Sequence, residues 1–173
     1  MSEVMQALKE RRSIRKYKTD MVPKEMIDQV IEAGLYAASG RGQQCPIIVA
    51  ITNKEMRDRL AKVNAQIMGA TADPFYRAPV VLIVLADKNW PTYVYDGSLV
   101  MGNMMLAAHE LGLGSCWIHR AKEEFEMEEY QKLLADLGIE GEYEGIGHCI
   151  LGYADCELPK APERKDGRVY YVD

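Results

Sequence analysis

The sequence predicts a single α+β domain in which helices flank a central mixed sheet. Its 173 residues, 48% hydrophobic and 27% charged, have the size and balance of one self-supporting globular unit. Apolar stripes of helical period alternate with short, β-prone apolar runs. No internal repeat or low-complexity linker divides residues 1–173, so they form one domain.

Taken in order, Val4, Leu8 and Arg11 fall at helical spacing, which predicts a short amphipathic helix over residues 3–11. A second helix opens with Pro23 in its first turn and carries Ile27, Val30, Ile31, Leu35 and Ala38 as one stripe, broken at Ser39 and Gly40. The run Pro46–Ile51 reads as a buried strand. Asn53 then N-caps a third helix with Met56, Leu60, Val63 and Ile67 inward. Residues 71–78 are loop-like around Asp73-Pro74, and residues 79–86 are apolar enough for a central strand.

A long helix follows over residues 96–111. Leu99, Val100, Met101, Met104, Met105, Leu106, Ala107 and Ala108 make it apolar almost all round, and Gly112 can cap it. With Asp96, Asn103, His109 and Glu110 inside it, it is too short and too polar to span a bilayer. It is either a central core helix or a core helix whose second face packs on a partner subunit. Residues 115–118 predict a short strand, residues 123–137 a Glu-rich surface helix, and residues 145–153 a last core strand. The tail over residues 158–168 carries Lys160, Arg164, Lys165 and Arg168. Residues 169–172 after it are β-prone but have no local hairpin to pair with.

Composition excludes several function classes. The charged N-terminal residues lack the apolar stretch of a secretory signal, which gives a cytoplasmic location as the expectation. Cys45, Cys116, Cys149 and Cys156 form no C-x-x-C pair and share no metal-ligand spacing with His109, His119 and His148. Reduced, buried thiols and no metal are expected. A net charge of -5 disfavours a nucleic-acid binder, whose affinity comes from clustered cations. The charge is uneven, however: Lys9, Arg11, Arg12, Arg15, Lys16 and Lys18 crowd one segment against Glu10 alone. No Walker loop, G-x-G-x-x-G or G-x-S-x-G elbow is present. His109 and His148 read as packing residues within their helix and strand.

Two segments can carry chemistry. Arg11-Arg12-Ser13-Ile14-Arg15 places three guanidinium forks and a hydroxyl where a helix ends, which is phosphate-binding chemistry; the same residues could instead form a solvated cationic face. The turn from Ala37 to Pro46, with Ser39, Gly40 and Gln44, is rich in residues that let backbone approach a flat ligand, or it simply ends a helix. The basic run, helix, Ser/Gln turn and buried strand occur in succession. That succession, together with residues 96–118 and the closing Gly152-Tyr153 and Arg164-Lys165 segment, resembles the FMN-dependent nitroreductase family over nearly the whole chain.

The resemblance implies a three-layer fold and a homodimer that exchanges its C-terminal strand. Arg11, Arg12, Ser13 and Arg15 would hold the phosphate end of FMN, with Arg164 and Lys165 adding positive charge. Ser39, Gly40 and Gln44 would border the flavin from the other subunit, and backbone near Ile118 and His119 would lie by its reactive edge. No catalytic side chain is implied, since the hydride chemistry belongs to the flavin. The implied activity is ping-pong transfer from NADH or NADPH to a small electron-poor acceptor such as a nitroaromatic or quinone. An FMN-binding carrier or redox sensor without turnover, and a non-flavin interaction module, are the alternatives. The chain departs from the family pattern at Ala38, Gly42 and Cys45-Pro46, and at His119-Arg120, where small or acidic residues are common.

Overall fold

The computed structural model describes residues 2–173. In chain order the elements are α1 (Glu3–Glu10), α2 (Lys24–Leu35), a 3-10 turn (Gly40–Gly42), β1 (Pro46–Ile51), α3 (Lys54–Met68), β2 (Val80–Asp87), α4 (Tyr93–Glu110), β3 (Gly114–Ile118), α5 (Ala121–Phe125), α6 (Glu128–Asp136) and β4 (Tyr143–Gly152). The sheet runs β1-β2-β4-β3.

All three strand pairings are antiparallel, so the expected mixed sheet is refined. Its parallel component is reduced to one isolated bridge, Ser13 to Ser115. The connection between β1 and β2 shows why. α3 carries the chain away, and residues 69–79 bring it back to where β1 ended, pairing Ile51 with Val81. Arg57, near the start of α3, pins the returning loop: its Nε donates to the Ala78 carbonyl at 2.9 Å and its Nη2 to Asp73 at 2.6 Å.

The two-residue period of β2 divides the core. Val81, Ile83 and Leu85 face Leu60, Phe125, Tyr130 and Leu134 of α3, α5 and α6. Val80, Leu82 and Val84 face Ile27, Val30, Met101 and Met104 of α2 and α4. Burial on both faces explains why β2 reads as one continuous apolar run. The result is a three-layer α+β fold.

Several expectations need correction. Val4 and Leu8 are exposed, and only Ala7 of α1 is buried. α2 stops at Leu35, short of Ala38, and α4 starts at Tyr93. The helix expected over residues 123–137 is two, broken at Glu126 and Met127, because Phe125 and Tyr130 both turn inward and pack with ring centroids 5.4 Å apart. Glu124, taken as a surface residue, is fully buried. Residues 169–172 are exposed and belong to no strand within the chain.

Cys156 is exposed, against the expectation of four buried thiols; Cys45, Cys116 and Cys149 are buried. Burial pushes Cys149 from the ordinary 9.0 up to about 12. Cys45 rises to about 11 through burial and then its hydrogen bond to Asp96. A folded state that holds these protons more tightly is stabilised below the ordinary thiol range and loses that contribution as pH climbs through the raised values. At neutral pH a thiol reagent is expected to label Cys156 alone in the folded protein and all four cysteines after denaturation. Fast labelling of a second thiol would contradict the burial described.

Candidate functional site

The basic run owes its position to the end of α1. The Arg11 amide donates to the Ala7 carbonyl at 2.9 Å, and the chain then turns extended. Ser13 bridges to Ser115, and the Ile14 amide donates to the Ser115 carbonyl at 3.0 Å. Residues 11–15 therefore lie against the outer edge of β3, the edge that does not pair with β4.

Arg11, Arg12 and Ser13 are half-buried and Arg15 is exposed. Arg12 Nη1 donates to the Lys9 and Arg11 carbonyls at 2.7 and 2.6 Å. Arg12 Nε and Arg11 Nη1 are buried without a hydrogen-bond partner among the described residues. No carboxylate among the described residues pairs with Arg11, Arg12 or Arg15. A charged donor taken out of water and left unpaired is costly, so these atoms are suited to an anion that the chain does not itself supply.

β3 leads from this cationic end to a second feature. From Ser115 to Ile118 is about 10 Å at about 3.3 Å per residue. The turn that follows is held by polar residues with no exposure of their own. Asn64 Nδ2 donates to the His119 carbonyl at 2.9 Å, and Arg120 Nε donates to Asn64 Oδ1 at 3.2 Å. His148 Nδ1 lies 3.3 Å from the Ile118 carbonyl. Its Nε2 meets Glu124 Oε2 at 2.5 Å, off the axis of a regular hydrogen bond, with both side chains fully buried. Phe75 packs on the imidazole at a centroid distance of 5.1 Å. Arg120 itself has φ 78°, a left-handed conformation that costs a non-glycine residue about 1–2 kcal/mol.

The third feature is the Ser39 to Cys45 turn, anchored by a carboxylate 56 residues from Gly40. Asp96, 3% exposed at the start of α4, accepts from the Gly40 amide at 3.0 Å, Thr92 Oγ1 at 3.0 Å and Cys45 Sγ at 3.4 Å. Ser39 Oγ accepts from the Gln44 amide at 3.0 Å. Arg41 and Gln44 take φ of 53° and 51°, and a Cβ on Gly40 would collide with the Thr92 side chain. Asp96→Ala orphans these donors and is expected to destabilise the fold by about 2–4 kcal/mol. Asp96→Asn, which keeps one acceptor, is expected to cost less. Urea denaturation measures both; equal losses would contradict the hub.

One chain does not bring all the predicted residues together. The Ser39 to Gln44 turn enters β1, whereas Arg11 to Arg15, Ile118 and His119 lie along β3, and β1 and β3 are opposite edges of the sheet. Three strand spacings separate these edges, roughly 14 Å. Arg164 and Lys165 are exposed; Arg164 donates to the Pro162 carbonyl, at 2.8 Å for Nη2. A cavity of about 980 Å³ lies elsewhere, between Thr19, Met21 and α3. Its Lys54 and Arg57 are already paired with Asp58 and Asp73, so its size outweighs its chemistry. No cluster of potential metal ligands occurs among the described residues.

The fold places the molecule among three-layer α+β proteins. The sequence pattern of the nitroreductase family matches residues 8–153, and the chain belongs to that family. A crystal structure of a nitroreductase with bound FMN from Bacteroides fragilis is 27% identical, covers 100% of both chains and has a TM-score of 0.90. A relative from Methanothermobacter thermautotrophicus, provisionally named an NADH dehydrogenase/NAD(P)H nitroreductase, is 35% identical over 119 residues, or 66% of this chain and 60% of its own length. The FMN reductase (NAD(P)H) of Bacillus subtilis is 28% identical over 138 residues, 66% of this chain and 53% of its own. The chain thus spans little more than half the length of these two relatives.

Proposed function

We propose that this chain is an FMN-dependent oxidoreductase that takes reducing equivalents from NADH or NADPH and passes them to a small electron-poor acceptor, working as a homodimer. The observation that carries the reading is the pair of buried, unpartnered guanidinium donors, Arg11 Nη1 and Arg12 Nε, beside the outer edge of β3. They fit a phosphate, because guanidinium forks match its oxygens, and a family relative is described with bound FMN.

In this reading Arg11, Arg12, Ser13 and Arg15 hold the phosphate end, and Arg164 and Lys165 add charge from the tail. The Ile118 and His119 backbone borders the ring about 10 Å along the strand. FMN supplies the hydride chemistry when bound; the protein orients it and leaves one face open, to donor and acceptor in turn. Ser39, Gly40 and Gln44 approach from the second copy, in keeping with their place on the far edge of the sheet. Val4, Met5 and Leu8 of α1 and Tyr95 and Leu99 of α4 are exposed apolar side chains that a second copy would cover.

The tail is part of the same proposal. Val169, Tyr170, Tyr171 and Val172 are 68–100% exposed, and β1 has an open edge that a partner's strand can extend. Deleting residues 169–173 is expected to turn the dimer into monomer on size-exclusion chromatography; an unchanged elution volume would sink the exchange. No helix among the described residues is long and apolar enough to cross a membrane, and a cytoplasmic location belongs to the proposal. The direct test is purification followed by a visible spectrum and FMN titration. A yellow protein, or tight uptake of added FMN, is expected; a colourless protein that binds no FMN overturns the reading.

A further inference from the structure

The turn that ends β3 carries an arginine in a backbone conformation that favours glycine, φ 78°. The fold keeps that strain, and the side chain is placed with care. Arg120 Nε is tied to Oδ1 of Asn64, a residue with 0% exposure, and Nη2 approaches Met68 Sδ at 2.8 Å. Those two contacts use two of the five guanidinium N–H donors. Asn64 also holds the His119 carbonyl, so one buried amide fixes both the turn and its cation. Strain retained around a fixed, incompletely used group is a marker of function.

The charge has no answer among the described residues. Neither Arg120 nor His119 lies within ion-pair distance of a carboxylate among the described residues, while Glu124 and Glu144 are occupied by His148 and Lys122. His119 is exposed next to it, its ring 6.2 Å from that of Trp117. The turn stands at the opposite end of β3 from Arg11 to Arg15, so it does not belong to the phosphate end.

We infer that Arg120, with His119 beside it, recognises an anionic group on the acceptor, a carboxylate or comparable oxyanion, so that this protein favours acidic acceptors over neutral ones of the same shape. The inference rests on the flavin reading above, which puts Ile118 and His119 at the edge of the ring. A guanidinium fork meets a planar carboxylate with two parallel hydrogen bonds, and its place one turn beyond that edge suits an aromatic acid stacked on the open face.

The test compares 4-nitrobenzoate with nitrobenzene on the flavin-loaded protein, its Arg120→Gly variant, which keeps the left-handed backbone without strain, and Arg120→Lys. Dissociation constants come from perturbation of the visible flavin spectrum without any donor, and kcat/KM from turnover. Wild type is expected to bind 4-nitrobenzoate more tightly. Arg120→Gly is expected to reduce the acid-to-neutral preference about tenfold or more, with partial recovery in Arg120→Lys. An equal change for both acceptors, no change, or an effect confined to NADPH would overturn the inference. A protein that takes up FMN but shows no charge preference defeats this inference alone; one that takes up no FMN defeats the reading beneath it.

Discussion

Replacing Arg11 with alanine is expected to weaken FMN binding by about 10- to 100-fold, the equivalent of about 1.5–3 kcal/mol for a charge-assisted hydrogen bond. Arg11 is the residue of choice because its guanidinium is already half withdrawn from solvent. Nη1 is buried without a partner, so its desolvation is incurred on folding and only the gain remains for the incoming phosphate. Arg15 is exposed and would gain less, being better hydrated beforehand. The measurement is quenching of free FMN fluorescence on titration with apoprotein. Lys24→Ala, which removes an exposed i,i+4 pair with Asp28, serves as the control. The Arg11→Ala dissociation constant should rise with little loss of fold, since the substitution removes a buried unpaired donor. A dissociation constant equal to wild type would move the phosphate away from this segment.

The largest effect on stability is expected at the buried pair behind the turn that ends β3. Glu124 and His148 have 0% exposure and meet at 2.5 Å. Removing one member of such a pair strands the other in an apolar setting, which costs about 3–5 kcal/mol. For a chain of this size that corresponds to a fall in Tm of roughly 6–20 °C. Glu124→Ala should show it, with protein and FMN concentrations held fixed, since ligand and partner both shift Tm. Glu124→Leu combined with His148→Leu should recover much of the loss, because an apolar pair carries no desolvation cost. The double variant also removes the contact to the Ile118 carbonyl, so FMN affinity should stay impaired even where stability returns. Recovery of both together would reduce the pair to packing.

How much of this was legible in the sequence differs by element. Pro46–Ile51 was readable to the residue, because one apolar run lies between a loop and the Asn53 cap, whose side chain accepts from the Met56 amide at 2.9 Å. The Arg11 to Arg15 run suggested anion chemistry, which belongs to the proposed function. Its placement on the edge of β3 was not, since a bridge from Ser13 to Ser115 spans about 100 residues of sequence. Glu124 hid in an acidic stretch, and its burial follows from β4 bringing His148 up against α5. Asp96 read as a polar interruption of an apolar helix, and only its three donors, from the Gly40, Thr92 and Cys45 positions, mark it as an anchor. The break at Met127 carries no proline or glycine and arises from inward packing of Phe125 and Tyr130. Residues 169–172 form no strand among the described residues, and the proposed pairing with a second copy is not something local pattern can reveal.

The central claim of the proposed function is electron transfer through a flavin held at a sheet edge. The most direct measurement is an anaerobic titration of the FMN-loaded protein with NADH and, separately, NADPH, followed by addition of an electron-poor nitroaromatic. The account predicts that at least one nucleotide bleaches the visible flavin band and that the acceptor restores it without further nucleotide. A bound flavin that neither nucleotide bleaches would contradict the account.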